Sequence, residues 1–366
     1  MQTINYSNVT LQSPTGGTLN VSASPLVLRG TPSSSDNPYT QHWSFDVQRS
    51  LPGSVVLDAG YFGSKSTHLI GIVDINQAFP GAALAAGLHT GTGTIFTPTD
   101  TPRINAVRPY LGYNAINMIL PAFDSNYHSL QVSVNKNFGN QGLFSLAYTW
   151  SKNMTDNPSD RSNAPQNSYN WHGGEYGPAT LDRTQVLTFN YVYPLPFFKS
   201  AKGALGYVAK GWQISGISTF ATGLPFTVTT SNVDPAGLGI LGSSAASSRP
   251  DMTCDPNANA PHDGGFNGKW FDTSCFTPVA QGTVRPGNAG RGTVRGPGYS
   301  NWNISLFKNI PIRERVSLQL RWETFNTFNH GNPSSISSLN ITSTTFGLIN
   351  GYRDPRLMQL AAKVQF

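Results

Sequence analysis

The sequence predicts an all-β fold, an antiparallel up-and-down transmembrane β-barrel segment of about nine to ten strands with long extracellular loops. Two patterns indicate it: segments of about ten residues in which apolar and polar side chains alternate, and connections that are short and long in turn. Composition agrees, because charged residues make up only 11% of the chain, against about 25% in an average soluble domain. The 20 Phe, 14 Tyr and 7 Trp are too many for a disordered chain and suit strands that face lipid.

The last segment, 356–366, shows the alternation over a length of about nine to eleven residues, which a tilted strand needs to cross a bilayer. One face of that strand carries Met358, Leu360, Ala362, Val364 and Phe366. Taken alone, the segment fits the last strand of a soluble sandwich equally well, so the prediction depends on recurrence of the pattern. We expect Leu360, Ala362, Val364 and Phe366 to engage the barrel-assembly machinery.

Eight earlier segments alternate in the same way: 40–49, 54–64, 129–138, 143–152, 182–193, 211–222, 300–308 and 315–324. Short or moderate reversals are predicted at 50–53, at 139–142, at Pro194 and at Pro311, and long irregular connections at 65–128, 153–181, 223–299 and 325–355. A barrel has this rhythm when tight turns lie in the periplasm and large loops lie outside the cell. A Greek-key sandwich has no reason to keep it.

The predicted organisation is a residual loop over 1–39, with a weak strand near 19–23, followed by the C-terminal part of an outer-membrane β-barrel over 40–366. Complete bacterial barrels have an even number of strands, so a count of about nine predicts that the chain begins in mid-barrel. On its own, we expect such a segment to form a curved, incompletely closed sheet with two exposed edges.

Each strand is predicted to turn its apolar face to outer-membrane lipid and its polar face to water in the lumen. Polar side chains are solvated in a lumen, whereas each would need a partner in a soluble core. Lys136 is an exception on the apolar face, but it lies beside a turn, from where a long side chain reaches the headgroups. Apolar faces packed together in a closed two-layer interior would contradict the prediction.

Motifs for catalysis are scarce. Gly237, Gly239 and Gly242 match GxGxxG, but neither a strand before nor a helix after them supports a dinucleotide site. The 7 histidines lie far apart without metal-ligand spacing. We therefore expect no catalytic residue, no cofactor, no metal site and no enzyme activity. The net charge of +6 comes from scattered single Lys and Arg residues, so no nucleic-acid partner is expected.

One loop and its edge carry five candidate ligand contacts, Asp156, Asp160, His172, Glu175 and Asp182. Carboxylate groups bind cations and polar ligands, and the alternative interpretation is a solvated loop.

Two cysteines, Cys254 and Cys275, lie in another loop-like stretch. In an oxidising compartment they would close a local disulfide, and otherwise they are two unrelated thiols. Neither belongs to a CxxC pair, which argues against zinc.

Four blocks together with the terminal strand carry a family resemblance: PYTQHWSFDVQRSLPGSVVLDAGYFGSKSTHL (38–69), YHSLQVSVNKNFGNQGLFSLAYTWSKNMTD (127–156), ATLDRTQVLTFNYVYPLPF (179–197) and LQLRWETFNTFNHGNP (318–333). They resemble the barrel region of the Oar-like TonB-dependent transporters, and the similarity covers nearly everything from Tyr39 onward. The blocks are specific in combination, not singly.

The resemblance implies a bacterial outer-membrane protein with an Ig-like domain, a plug, and a barrel of about 22 strands energised by TonB. The signal, Ig-like domain, TonB box, plug and early strands of that pattern are not in this sequence. We therefore expect a fragment, the C-terminal part of such a barrel, with TonB acting only through the missing N-terminal regions.

The function that follows is part of a transporter or receptor for a large ligand such as a glycan, a peptide or a siderophore. A surface adhesin or structural outer-membrane protein is the first alternative. A soluble secreted all-β binding module is the second.

Overall fold

The computed structural model describes residues 26–139, 142–157, 163–196, 203–241, 246–263, 265–313 and 316–366. Nine long strands follow one another as an antiparallel meander in one sheet: β1 (Tyr39–Leu51), β2 (Val55–Asp74), β3 (Tyr113–Asn137), β4 (Leu143–Thr155), β5 (Gln185–Pro194), β6 (Trp212–Ala221), β7 (Tyr299–Arg313), β8 (Val316–Phe325) and β9 (Leu357–Gln365). Each pairs with its neighbours in chain order, and β1 and β9 form the two edges, so the sheet is not closed. The predicted fold class is confirmed.

Shorter elements lie before β1 and in the connections. The short strands are Leu26–Gly30, Gly177–Pro178, Pro225–Phe226, Asp251–Met252, Phe276–Thr277, Val294–Arg295, Pro333–Ile336 and Ile349–Tyr352. The helices are α1 (Ala82–Ala85), α2 (Thr101–Ile104), α3 (Trp171–Glu175) and α4 (Gly203–Ala209), with 3-10 turns at Asn105–Val107 and Thr273–Cys275. In the part of the chain that the structure describes, no helix has the length and apolar character needed to cross a membrane.

Among the described residues that precede β1, the structure places one strand, Leu26–Gly30, which pairs in parallel with the start of β3. The weak strand predicted near 19–23 lies outside the described residues, as does the middle of the reversal predicted at 139–142.

The strands β2 and β3 are much longer than predicted, because β2 continues to Asp74 and β3 begins at Tyr113. The extensions pair with each other, with Ile72 opposite Ile119 and Val73 opposite Met118. Ile72 and Val73 are both buried, so neighbouring residues of the strand are covered on both faces. A strand covered on both faces loses the alternation from which strands were predicted.

The reversal predicted at Pro311 is wrong, because Pro311 lies inside β7. The N–H of Asn309 donates to the carbonyl of Gly211, 2.8 Å away, and the nitrogen of Pro311, two residues on, faces the same edge of β7. The pairing of β7 with β6 ends at Lys308. A residue without an N–H therefore costs no ladder hydrogen bond at this position.

The strand register gives the sheet one apolar and one polar face. Tyr61 lies opposite both Phe45 and Leu130, and Leu130 lies opposite Trp150, so this row of the apolar face crosses four strands. The side chains are exposed, with Phe45 72% accessible. In the described residues the apolar faces do not pack against one another in a closed interior, as those of a soluble sandwich would.

The buried hydrophobic clusters lie mainly in the connections. The largest combines residues of the β6–β7 and β8–β9 connections, and Phe271, Phe276 and Phe346 pack edge to face within it. A second, around Phe96 and Ile104, belongs to the β2–β3 connection. All four long connections leave the sheet at the same end, which in outer-membrane barrels is the extracellular end. The loops thus form a packed assembly above an exposed sheet.

Candidate ligand-binding site

The predicted loop contacts are held by internal partners. The Nδ1 atom of His172 lies 2.5 Å from Oδ2 of Asp156. The other carboxylate oxygen of Asp156, Oδ1, accepts a hydrogen bond from the backbone N–H of Asp124 at 2.7 Å. Asp156 is buried, whereas the side chain of His172 is 62% exposed. Asp160 lies outside the described residues.

Glu175 and Asp182 are buried, and each carboxylate forms an ion pair with an arginine of the β6–β7 connection. Arg249 lies 2.9 Å from Glu175, and Arg295 lies 2.7 Å from Asp182. Glu175 also accepts the N–H of Gln166, and Asp182 accepts the N–H of Asn153. These carboxylates therefore connect loops, and their role as ligand contacts remains a prediction.

Cys254 and Cys275 form a disulfide in the structure, with their Cα atoms 5.0 Å apart. Asp272 lies close to both sulfur atoms and completes a cluster of metal-ligand residue types. A thiolate, not a disulfide sulfur, is the usual metal ligand. This cluster therefore fits a covalent loop closure and not a metal site.

The GxGxxG stretch binds the side chain of the nearby Asp234 through its backbone N–H groups. Gly237 and Gly239 have positive φ angles of 64° and 75°. The carboxylate of Asp234 accepts the N–H groups of Leu238 and Gly239 at 3.0 and 2.6 Å. Burial raises the pKa of Asp234, and these backbone donors partly offset the rise. The turn thus already holds an internal carboxylate, and Gly242 lies outside the described residues.

A cavity of about 510 Å³ lies on the polar face at the loop end of β7, β8 and β9. Tyr299, Asn301 and Asn303 alternate along β7 and share the polar face with Phe325 at the end of β8. Residues of the β8–β9 connection close the other side: Asn326, Asn332, Arg353, Asp354 and Pro355. In a barrel, this position is the extracellular mouth of the lumen.

Asparagine side chains fix the wall of this cavity. The Oδ1 atom of Asn303 accepts the N–H of Asn326, and Asn326 in turn donates to the carbonyls of His330 and Asp354 at 3.0 and 3.2 Å. Asn326 has a positive φ of 48°, a conformation that asparagine tolerates better than most residues. Asn332 clamps the start of β7, since its amide exchanges two hydrogen bonds with the backbone of Ser300, both 2.9 Å long.

The remaining groups offer varied contacts to a ligand. The guanidinium carbon of Arg353 lies 4.6 Å from the centroid of the Tyr299 ring, within cation–π distance. The amide of Asn301 makes no side-chain hydrogen bond to any described residue, so its donor and acceptor are available. An aromatic ring, a cation and an amide suit a polar ligand that also has apolar surface.

Sequence reasoning missed this site. Alternation predicted the polar face of β7 and β8, but the polar residues of one face look alike along the chain. The asparagines of 326–332 were a usable signal, because asparagine is common in turns with positive φ.

The meander, its exposed apolar face and its loop assembly together have the features of the wall of a membrane β-barrel. The sequence profile of the outer membrane beta barrel domain family matches residues 2–359, and the chain belongs to that family. The bacterial outer membrane is therefore its location, as predicted.

No curated protein matches the chain. Solved structures that resemble it include the outer membrane transporter YddB from Escherichia coli, with 8% identity and a TM-score of 0.44, covering 94% of this chain and 34% of YddB. The FrpB iron transporter from Neisseria meningitidis has 8% identity and a TM-score of 0.40, covering 92% and 32%. The siderophore receptor PirA from Acinetobacter baumannii has 9% identity and a TM-score of 0.40, covering 90% and 32%. The chain thus spans about a third of each of these structures.

Proposed function

We propose that this chain is the C-terminal part of the barrel of a TonB-dependent outer-membrane transporter of the Oar-like type. Its lumen would take up a large ligand through the cavity at the mouth of β7, β8 and β9. The observation that carries the proposal is this cavity, in which Tyr299, Asn301 and Arg353 converge beneath packed loops of an outer-membrane barrel. The resemblance of blocks 38–69, 127–156, 179–197 and 318–333 supports the transporter type.

The ligand would be a glycan, a peptide or a siderophore. Amide and guanidinium groups match the hydroxyl, carbonyl and carboxylate groups of all three, and the Tyr299 ring adds an apolar contact surface. Fixed loops favour binding, because fewer side chains and backbone torsions lose freedom when the ligand arrives.

The experiment is a binding screen with the full chain reconstituted in detergent, using oligosaccharides, peptides and ferric siderophores as probes. We expect one probe class to raise the thermal midpoint, and the double variant Asn301→Ala, Arg353→Ala to lose most of that rise. Arg103→Ala is the matched control, because Arg103 is exposed in α2 and does not line the cavity. If all probes leave both proteins unchanged, the proposed site is wrong.

Transport is tested separately in cells that express the whole transporter, with and without TonB. Uptake of the bound probe should require TonB. A surface adhesin or structural protein would bind its ligand equally with or without TonB and would not internalise it. The second alternative, a soluble secreted module, does not fit a member of an outer-membrane barrel family with an exposed apolar face.

The proposed partners follow from the same interpretation. Lipid would cover the apolar face, TonB would act through N-terminal regions of the whole transporter, and the barrel-assembly machinery would contact β9. The side chains of Leu360 and Phe366 are 82% and 99% exposed, and β9 pairs only with β8 among the described residues. An edge strand of this kind offers free backbone groups to another strand.

A further inference from the structure

A second cavity, of about 400 Å³, lies near the extracellular end of the sheet, against its apolar face. Tyr61, Leu130 and Trp150 form one row of its lining, and His128 and Lys152 form the next row towards the loops. The register places all five on the face that also carries Phe45 and Val47. This cavity is thus on the lipid side of the wall, opposite the lumen.

The aromatic wall of the cavity is held in a fixed arrangement. The hydroxyl of Tyr61 lies 2.6 Å from Nδ1 of His128, and the two rings stack with centroids 6.1 Å apart. Trp43 donates from Nε1 to the same hydroxyl at 3.4 Å and lies over Gly63. A Cβ at position 63 would approach Nε1 of Trp43 to 2.3 Å, so the ring takes this position only above a glycine.

The rim is cationic. Lys152 is exposed and forms no ion pair with any described residue. Arg295 also lines the cavity, with 32% of its side chain exposed and its guanidinium 2.7 Å from Asp182. No carboxylate is among the lining residues in the described part of the chain. An anion at this rim would therefore meet attraction from Lys152, whereas Arg295 already shares its charge with Asp182.

We propose that this cavity binds a phosphorylated lipid of the outer leaflet, of the lipid A class. Its phosphate would contact Lys152, assisted by His128 and Arg295, and an acyl chain would lie along Leu130 and Trp150. Aromatic belts and basic side chains meet lipid headgroups at this depth of a membrane. The charge and the apolar floor together fit an anionic amphiphile better than a free ion. The proposal depends on membrane location and not on transport.

The test uses the full chain purified in mild detergent and native mass spectrometry of bound lipid. The probes are bis-phosphorylated lipid A, its dephosphorylated analogue and inorganic phosphate. The unmodified chain should retain the phosphorylated lipid, and Lys152→Glu should lower its affinity about tenfold, the effect of one charge-assisted contact. Trp150→Ala should lower the affinity for both the phosphorylated and the dephosphorylated lipid, because it removes only an apolar contact.

Lys363→Glu is the matched control, since Lys363 lies on the polar face of β9 and should not affect lipid binding. A heat-dependent shift in gel mobility verifies that each variant is folded. Equal retention by Lys152→Glu and the unmodified chain would overturn the proposal. The proposal would also be overturned if Lys152→Glu lowered the affinity for the dephosphorylated analogue as much as the affinity for lipid A. Displacement of the lipid by inorganic phosphate would likewise overturn it, because it would indicate a site for the free anion.

Discussion

The guanidinium of Arg249 lies 2.9 Å from the carboxylate of Glu175, and both side chains are almost completely buried. The pair joins the β6–β7 connection to α3, which belongs to the β4–β5 connection. Arg291 adds to the junction by donating to the carbonyl of Glu175 at 2.8 Å. Loops far apart in sequence are thus held together by buried charge, so the extracellular assembly should respond as a unit when one partner is removed.

Replacing Glu175 with alanine should loosen this assembly. An unpaired buried Arg249 would cost about 3–5 kcal/mol. Hydrogen exchange and limited proteolysis of the β4–β5 and β6–β7 connections would measure the loss. Arg285→Ala is the control, because the pair of Arg285 with Asp251 is partly exposed and should contribute under about 1 kcal/mol. Equal effects of the two variants would contradict this account.

The disulfide should stabilise the largest loop cluster. Cys254 and Cys275 are 21 positions apart, and Cys275 is buried beside Phe271. Removing a disulfide that closes a loop of this length should lower the free energy of unfolding by about 3 kcal/mol, chiefly because the unfolded loop gains entropy. The double variant Cys254→Ser, Cys275→Ser should exchange amide hydrogens faster over 226–294 than the unmodified chain. Reduction of the disulfide in the unmodified chain should reproduce this change. Unchanged protection from exchange in both the double variant and the reduced chain would contradict a stabilising role of the disulfide.

Asp100 should make the β2–β3 connection sensitive to acid. Burial alone raises the pKa of Asp100, but hydrogen bonds from Thr90 and Thr97 outweigh it and lower the pKa to about 2. A carboxyl with a lowered folded pKa contributes stability above its ordinary pKa of 3.8, and this contribution is lost as the pH falls to about 2.

Proteolysis of the connection at a series of pH values would measure this effect. The unmodified chain should lose protection between pH 3.8 and about 2. Asp100→Asn should be less protected at neutral pH and should show a smaller change over that interval. If the pH dependence of proteolysis were the same in Asp100→Asn as in the unmodified chain, the acid sensitivity would come from other groups.

A charge introduced on β7 should destabilise the barrel on one face of the strand and not on the other. Leu306 is on the apolar face and Ser305, its neighbour, is on the polar face opposite Glu323. Leu306→Arg should destabilise the inserted barrel by about 2–4 kcal/mol, the cost of arginine near the bilayer midplane. Ser305→Arg should have little effect. Urea unfolding in lipid vesicles, followed by heat-dependent gel mobility, would measure both, and the reverse order would mean that the faces are assigned wrongly.

Phe366 should affect assembly. Its side chain is 99% exposed at the end of β9, so its loss removes no internal packing. We expect Phe366→Ala to lower the amount of folded protein in the outer membrane while leaving synthesis unchanged. Gln365→Ala, on the other face, should assemble normally. Equal membrane levels of the two variants would argue against recognition of β9 by the assembly machinery.

Sequence reasoning predicted the nine strands because each alternates where one face meets lipid and the other meets water. It failed for the extensions of β2 and β3, where the neighbouring residues Ile72 and Val73 are both buried and the alternation is lost. It also failed at Pro311, because the free edge that tolerates this residue depends on where β6 begins.

Candidate residues followed a similar division. The sequence indicated that Glu175 and Asp182 lie in one loop region, but not that Arg249 and Arg295 occupy their carboxylates. The cavity combines β7 with the β8–β9 connection, in which Arg353 lies 54 positions after Tyr299, and no local pattern connects the two residues.

By itself, the sequence determined the all-β class, the order of the strands and which side of each is apolar, because side-chain alternation is a local property of an extended chain. Tertiary structure alone decided how far β2 and β3 extend, which charges pair, and where the two cavities open. Those features depend on contacts between residues distant in sequence, whose geometry is set only when the loops pack against the sheet and against one another.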